Sequence, residues 1–396
     1  MSKVKLQAGK TDKPVVAHAM RSYYPLTANW IHTQIAHLKR YRPIVITQTT
    51  QNLDAMNNIK RCALQERSRV EYFLNRVIRK PLKLYPSFYR FIRRHKAQII
   101  HAHFGGQGYH MMPLAKAAGL PLITMFYGYD ASLTPKQDPV WLTLYPKLFR
   151  FGQLFLAEGQ HMRKQLMSLG CPAEKITVQH LGVNLGDYRF EPRRLLHNEP
   201  LRILIAGRFT EKKGIPYAVE AFFKLAREKA NVRLTVIGDS GDDARERKIK
   251  EQIMGLVAAN QQFADLVEFR GFRPLAELRK AYYEHHVFLS PSVQAETGDN
   301  EGGAPVTLIE AAATGMPSIS THHCDIPEVV VDGSSGFLAP ERDSEALANY
   351  LLEFVSHPAL ITEMGRAGRK HIEAEYDAQR QTERLEILYD KVVARE

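Results

Sequence analysis

Short apolar runs, most of them closing at a glycine or a polar turn and followed by a helix-length segment, recur along the whole chain. This alternation leaves few folds open. Residues 14–20, 43–47, 98–102, 122–126, 155–157 and 175–178 read as strands in the first half. Residues 202–206, 233–237, 267–270, 287–291, 317–320 and 336–338 do so in the second. Strands interleaved with helices predict an α/β fold with open sheets, whose ligands lie beyond the carboxyl ends of the strands. At 396 residues the chain is long enough for two domains, each with its own core. Residues 188–200, with Pro192, Pro200 and three arginines, are poor in apolar side chains and predict the linker. The expected domains are therefore 1–190 and 191–375.

One stretch carries unusual chemistry, residues 296–317, ETGDNEGGAPVTLIEAAATGMP. An acidic, glycine-rich loop (Glu296, Asp299, Glu301, Gly302, Gly303) leads through Ala304 to Pro305 at a predicted helix start, and Gly315 marks the stop. Between Gly302 and Cys324 the only acidic residue is Glu310, set among Val306, Leu308, Ile309 and three alanines. A carboxylate in a buried helix needs partners. A half-exposed glutamate at the rim of a core helix is the plain alternative. The glycine pair favours the other reading, because it lets backbone N–H groups meet an anion at a helix N-terminus while Glu310 accepts bonds from hydroxyls. A nucleotide sugar offers both phosphates and hydroxyls.

A second such loop, GRFTEKKG, follows residues 202–206. Gly207 permits a tight turn, Arg208 and Lys213 bracket the loop, and Gly214 precedes a helix opened by Pro216. Two cations at a helix N-terminus form a cradle for a diphosphate, since charge-assisted bonds are worth roughly 1.5–3 kcal/mol each. Gly105 and Gly106, just past a strand end, bring backbone within reach of a ligand in the first half, although a glycine pair alone is a weak signal.

Together these stretches resemble the Glu-x7-Glu signature and phosphate loop of retaining glycosyltransferases of the family-four type, which have the GT-B fold. The resemblance covers nearly the whole chain and is dense from about 201 to 340. It implies two Rossmann-like α/β/α domains facing across a cleft, with a final helix, 376–396, crossing back to the first. It implies that Arg208 and Lys213 hold the donor diphosphate, that Glu301 lies against the donor sugar and that Glu310 binds the ribose. Eight residues separate the two glutamates here instead of seven, and the Gly302-Gly303 pair absorbs the extra one. Gly271 and Phe272 match the turn beside the nucleotide base, and Gly105 and Gly106 match the loop that approaches the donor from the first domain. Arg21, Tyr23 and Tyr24, in the loop after the first strand, match the acceptor side, with His103, Tyr127 and Asp130. The family's His-Gly-x-Asp motif is Tyr127-Gly128-Tyr129-Asp130 here, so a tyrosine replaces the titrating group. No cofactor and no metal is expected beyond the nucleotide-sugar co-substrate. The implied reaction is retaining transfer of a sugar to a hydroxyl of a glycan or lipid-linked glycan in polysaccharide assembly.

Charge adds a partner. The net charge of +12 is concentrated in residues 60–96, where twelve Lys/Arg face two acids, Glu66 and Glu71, with aromatic and aliphatic residues threaded between them. Such a segment suits an anionic membrane surface, and equally an amphipathic helix pair with solvated basic faces. Nucleic acid is not expected, because no recognition module accompanies the charge. No run reaches the roughly 18 apolar residues of a membrane span, and the first fourteen residues carry no apolar segment, so no secretory signal is expected. Cys62, Cys171 and Cys324 form no disulfide or metal spacing, which suits a reducing, cytoplasmic setting, and the basic segment extends that expectation to the inner face of the cell membrane.

The best rival enzyme is another GT-B member, such as a phosphorylase or a sugar-nucleotide epimerase, although a phosphorylase of the pyridoxal phosphate type needs a much longer chain. A dinucleotide dehydrogenase lacks its Gly-x-Gly-x-x-Gly after the first strand. A GT-B-fold protein that binds anionic membrane or polyanion without turnover is compatible with Tyr127 and the shifted spacing.

Overall fold

The computed structural model describes residues 13–23, 29–51, 59–229 and 231–394. They form two compact units. The first takes Met1–Met125, Arg150–Leu154 and Thr382–Glu396, and the second takes Phe126–Phe149 and Phe155–Gln381. By contacts, the boundary drawn near residue 190 therefore falls inside the second unit, and the end of the last helix counts with the first.

In the first unit, strands β1 (Val15–Tyr23), β2 (Arg42–Thr50), β3 (Arg61–Ala63), β4 (Ala97–His103) and β5 (Leu122–Met125) pair in parallel in the order β3-β2-β1-β4-β5. Their central residues are buried on both faces, which is why the runs read as continuous apolar segments and not as alternating ones. Helices α1 (Asn29–Ala36), α2 (Arg69–Leu82), α3 (Pro86–Arg94) and α4 (Gly105–Ala118) connect them. Two expectations change here. β1 continues to Tyr23, so Arg21 and Tyr23 lie on a strand and not in a loop. Residues 103–108 are not an open glycine turn. Phe104, at φ 74°, caps α4, and Gly105 and Gly106 form its first turn. Glycine predicts a break, but the buried strand end beneath places the helix start there.

The second unit begins beyond β5. Helix α5 (Trp141–Phe151) precedes β6 (Leu154–Ala157), α6 (Gln160–Ser168) and β7 (Ile176–Val178), and β6 pairs with β7. A six-stranded parallel sheet follows: β8 (Leu201–Ala206), β9 (Val232–Ile237), β10 (Val267–Gly271), β11 (Val287–Leu289), β12 (Ser318–Thr321) and β13 (Gly336–Ala339), in the order β10-β9-β8-β11-β12-β13. Helices α7 (Ile215–Glu228), α8 (Ala244–Ala259), α9 (Leu275–Glu284), α10 (Val306–Ala313), α11 (Ser344–Ser356) and α12 (Ala359–Glu375) cover it. Two layers of core result, one including Phe209, Phe222, Phe223, Leu347 and Leu351, the other Tyr188, Tyr282, Phe288, Leu308 and Ile309. Helix α13 (Ala378–Val393) ends the described chain. From Thr382 it belongs to the first unit, where Glu386 accepts from the N–H groups of Lys39, Arg40 and Tyr41 at 2.6–3.0 Å.

Candidate functional site

In the six-stranded sheet the strand order reverses between β8 and β11, and in open α/β sheets a crevice opens at such a point. The two loops singled out in the sequence leave these two strands. Lys213, after β8, donates to both oxygens of Glu301, after β11, at 2.9 and 3.0 Å. Ser292 Oγ adds a third bond to Glu301 at 2.9 Å. Burial alone would raise the Glu301 carboxyl; Lys213 and Lys212 outweigh it and hold the group below the ordinary range. The loops also join through the Val293 N–H to the Lys212 carbonyl at 2.9 Å and through Lys212 to Asp299 at 3.2 Å. Gly214, at φ 61°, is required there, because a Cβ would lie 1.8 Å from the Pro291 carbonyl oxygen.

Arg208 does not share Lys213's partner and meets one of its own. Its Nε and Nη2 donate as a fork to Glu246 of α8, at 2.9 and 2.8 Å, and Glu246 also accepts from Gly241 N–H at 2.6 Å. The carboxylate is buried while the Arg208 side chain stays 55% exposed, and the fork fixes that side chain through Nε and Nη2. Gly207, expected as a tight turn, bonds its N–H to the Ile237 carbonyl and lies under the stem of Lys213.

Glu310, on α10, is 5% exposed. Its Oε1 accepts from the Tyr188 hydroxyl at 2.7 Å and its Oε2 from the Tyr282 hydroxyl at 2.9 Å. The hydroxyls on this carboxylate are the protein's own, from two tyrosines, where the sequence reading expected those of a ligand. Burial raises its pKa despite the two tyrosine bonds and nearby Arg279, which pull the other way. Each oxygen retains a second lone pair.

The glycine pair serves a backbone contact the sequence did not reveal. Gly302, at φ 75°, lies against Gly128, at φ 76°, so closely that a Cβ on Gly302 would sit 1.9 Å from the Gly128 Cα. Tyr127 and Asp130, expected on the acceptor side, thus belong to a turn packed on the Glu301–Gly302 backbone. Both are buried, and Asp130 Oδ1 accepts from the Tyr127 N–H at 2.8 Å. A Cβ on Gly303 would collide with Glu158. Burial, then Asp325, Asp130 and Glu301, push the Glu158 carboxyl well above its usual range. Asp325 accepts from the His161 N–H at 2.6 Å at the start of α6, and burial raises it to about 7. Ala304 is half-buried and Pro305 buried, the latter as the N-cap of α10. Gly271, at φ 65°, ends β10 beside exposed Phe272.

In the first unit Arg21 is exposed and Tyr23 buried, and Tyr24 lies outside the described residues. His103 has no exposure. It joins His18 and His101 in the core, with His18 Nδ1 and His103 Nε2 3.0 Å apart and His101 Nδ1 2.6 Å from the Tyr389 hydroxyl. These three form the one group of potential metal ligands among the described residues. Burial keeps all three neutral, with His101 lowered to about 3. Of the site residues, reasoning from sequence missed Glu246, Ser292, Tyr188, Tyr282, Glu158 and Asp325. Each reaches the site from another element, and no local spacing announces them.

Known proteins share this arrangement of elements. A model described as Glycosyltransferase Family 4 matches residues 28–187, and one described as Glycosyl transferases group 1 matches residues 200–357. The chain is 36% identical over 288 residues to the amylovoran biosynthesis glycosyltransferase AmsK of Erwinia amylovora, covering 71% of this chain and 67% of that one. It is 37% identical over 265 residues to the putative colanic acid biosynthesis glycosyltransferase WcaL of Escherichia coli K12, covering 65% and 62%. The match therefore spans about two thirds of the length of these relatives. In fold the chain is similar to Anabaena Alr3699/HepE, solved in complex with UDP and glucose, with a TM-score of 0.74 at 16% identity over 96% of this chain and 100% of that one.

Proposed function

The chain belongs to the family-four glycosyltransferases (glycosyl transferases group 1) and has their GT-B fold, and from that premise we propose that it moves a sugar from a nucleotide diphosphate to a hydroxyl acceptor with retention of configuration. The acceptor is a glycan or lipid-linked glycan of exopolysaccharide assembly, the process named for the amylovoran and colanic acid relatives. Residues 60–96 are the face toward an anionic membrane.

The observation that carries the reading is the pair of loops joined by Lys213 and Glu301 at the point where strand order reverses. The donor diphosphate meets the remaining N–H groups of Arg208 and Lys213, each already aimed by a carboxylate, so little ordering is left to do on binding. Glu301 orients the donor sugar, Glu310 holds the ribose with the lone pairs its tyrosines leave, and Phe272 lies by the base. As the glycosidic bond breaks, charge grows on the leaving diphosphate, and the two cations stabilise it more in the transition state than in the ground state. The departing phosphate oxygen takes the acceptor proton on the same face, so no enzyme nucleophile and no metal is required. Loss of one such cation costs on the order of 10²–10³ in rate.

Thermal unfolding against UDP-, GDP- and ADP-sugars, for the wild type and Arg208→Ala, tests this. Donor at 100 times its dissociation constant stabilises by about 2.7 kcal/mol. A shift with one nucleotide class that disappears in Arg208→Ala supports the cradle. No shift with any of them would turn the reading to a binding protein without turnover.

A further inference from the structure

Helix α2 has three faces. Its inner face carries Glu71 and Asn75, fastened to α3: Asn75 Nδ2 donates to Ser87 Oγ at 2.8 Å, and Ser87 Oγ donates to Glu71 at 2.7 Å. The second face carries Arg76, Arg79, Lys80 and, at the C-cap, Lys83, spaced i, i+3, i+4, i+7. The third carries Val70, Phe73, Leu74 and Val77 at the same spacing, exposed by 70, 65, 47 and 49%. At 3.6 residues per turn the basic and apolar stripes stand roughly a third of a turn apart.

The basic stripe is not merely solvated. With Tyr109 and His110 of α4, its four cations line a pocket of about 420 Å³. Among the described residues none of the four lies within ion-pair distance of a carboxylate, whereas the neighbouring Arg67 and Arg90 share Glu71. Like charges gathered around a cavity repel one another, and an anion with several oxygens relieves this. The adjoining row of exposed aliphatic and aromatic side chains is what a soluble protein ordinarily buries. A bilayer surface offers both chemistries side by side, phosphate at headgroup level and acyl chain just below.

We propose that the pocket between α2 and α4 binds the phosphate group of an anionic membrane lipid while Val70, Phe73, Leu74 and Val77 enter the acyl boundary. This rests on the membrane part of the reading above and is independent of sugar transfer. Arg79, stacked over the Tyr85 ring at 4.9 Å, and Lys83, in left-handed backbone at φ 54°, hold their positions on the pocket wall.

The test is co-sedimentation of the whole protein with vesicles of phosphatidylcholine alone or with 30% phosphatidylglycerol. The set includes Arg79→Gln/Lys83→Gln, Phe73→Ser/Val77→Ser, and the control Arg93→Gln/Arg94→Gln on α3. Circular dichroism verifies folding, which exposed positions leave intact. The wild type is expected on anionic vesicles only. The pocket pair should bind roughly 25-fold more weakly, two charges at about five-fold each, and the control pair less affected. The apolar pair should also be lost from vesicles. Equal losses in the pocket and control pairs would overturn the pocket and leave a diffuse membrane charge. No vesicle binding by the wild type, with a thermal shift in millimolar inorganic phosphate, would overturn the lipid source. Retention on heparin with full vesicle binding by Phe73→Ser/Val77→Ser would assign the stripe to a soluble polyanion. None of these outcomes touches the nucleotide-sugar assay, so the two readings fail separately.

Discussion

Replacing Lys213 with methionine should cost about 3 kcal/mol of stability, and the cost should depend on pH in a definite sense. Lys213 contacts both oxygens of Glu301, whose side chain is 7% exposed. At 2.9 Å and an effective dielectric of 20 the attraction is about 6 kcal/mol before desolvation. Removing one partner of a buried pair typically costs 3–5 kcal/mol, and the low end applies because Lys212 remains near. In the native protein the Glu301 pKa is lowered, so its share of stability is present above the unfolded value and is lost as pH falls through the folded one. In Lys213→Met burial prevails and the folded value rises, so the deficit against wild type is widest at neutral pH and narrows toward pH 4. Urea unfolding at pH 7.5 and pH 4.5 reads this: with an m-value near 3 kcal/mol/M the midpoint drops by about 1 M at pH 7.5. The double variant Lys213→Met/Glu301→Gln should recover most of the loss, since neither charge is then stranded. A single-variant cost below about 1 kcal/mol, or strictly additive costs, would refute the view that this pair staples the two loops.

Glu310→Gln should leave stability at neutral pH equal or slightly higher, because a carboxylate with a raised folded pKa contributes stability only at lower pH and loses it as pH rises through that value. The same variant should abolish the nucleotide-sugar thermal shift, and a retained shift would remove Glu310 from the donor site. Gly302→Ala should be among the most damaging changes in the second unit, roughly 3 kcal/mol or more by chemical denaturation, because its Cβ meets backbone and not a movable side chain. The histidine column makes the first unit acid-labile. Neutral folded histidines lose stability as pH falls below the unfolded value near 6.5, and three of them cost about 4 kcal/mol between pH 7.5 and 5.5. Denaturant unfolding at those two pH values measures it, and a flat profile would contradict the burial.

Much of this architecture can be read from the chain alone. β8 and β9 are buried on both faces, so their runs are continuous and visible. Arg208, Lys213, Glu301 and Glu310 stand in loops and a short helix whose glycines and prolines mark them out. What escapes is whatever depends on pairing at a distance. Glu246 is 38 residues from Arg208, and Tyr188 is 122 from Glu310. Local spacing therefore showed two cations and two carboxylates but not the groups from distant elements that aim them. Gly105 and Gly106 misled for a related reason: glycine reports what the backbone permits, and the packing of α4 on β4 and β5 decides what it does.

The Lys213–Glu301 bond constrains how segments can be exchanged between relatives. The loop after β8 and the acidic loop are one mechanical part in two sequence segments, sewn at side chain and backbone, with Gly214 admitting the approach. Replacing one of the two segments alone breaks the contacts that the other makes with it. A graft of residues 207–214 from a relative should fold well only when its own 290–303 segment comes with it, and under the proposed function the pair is then the unit to exchange when donor choice is to be altered.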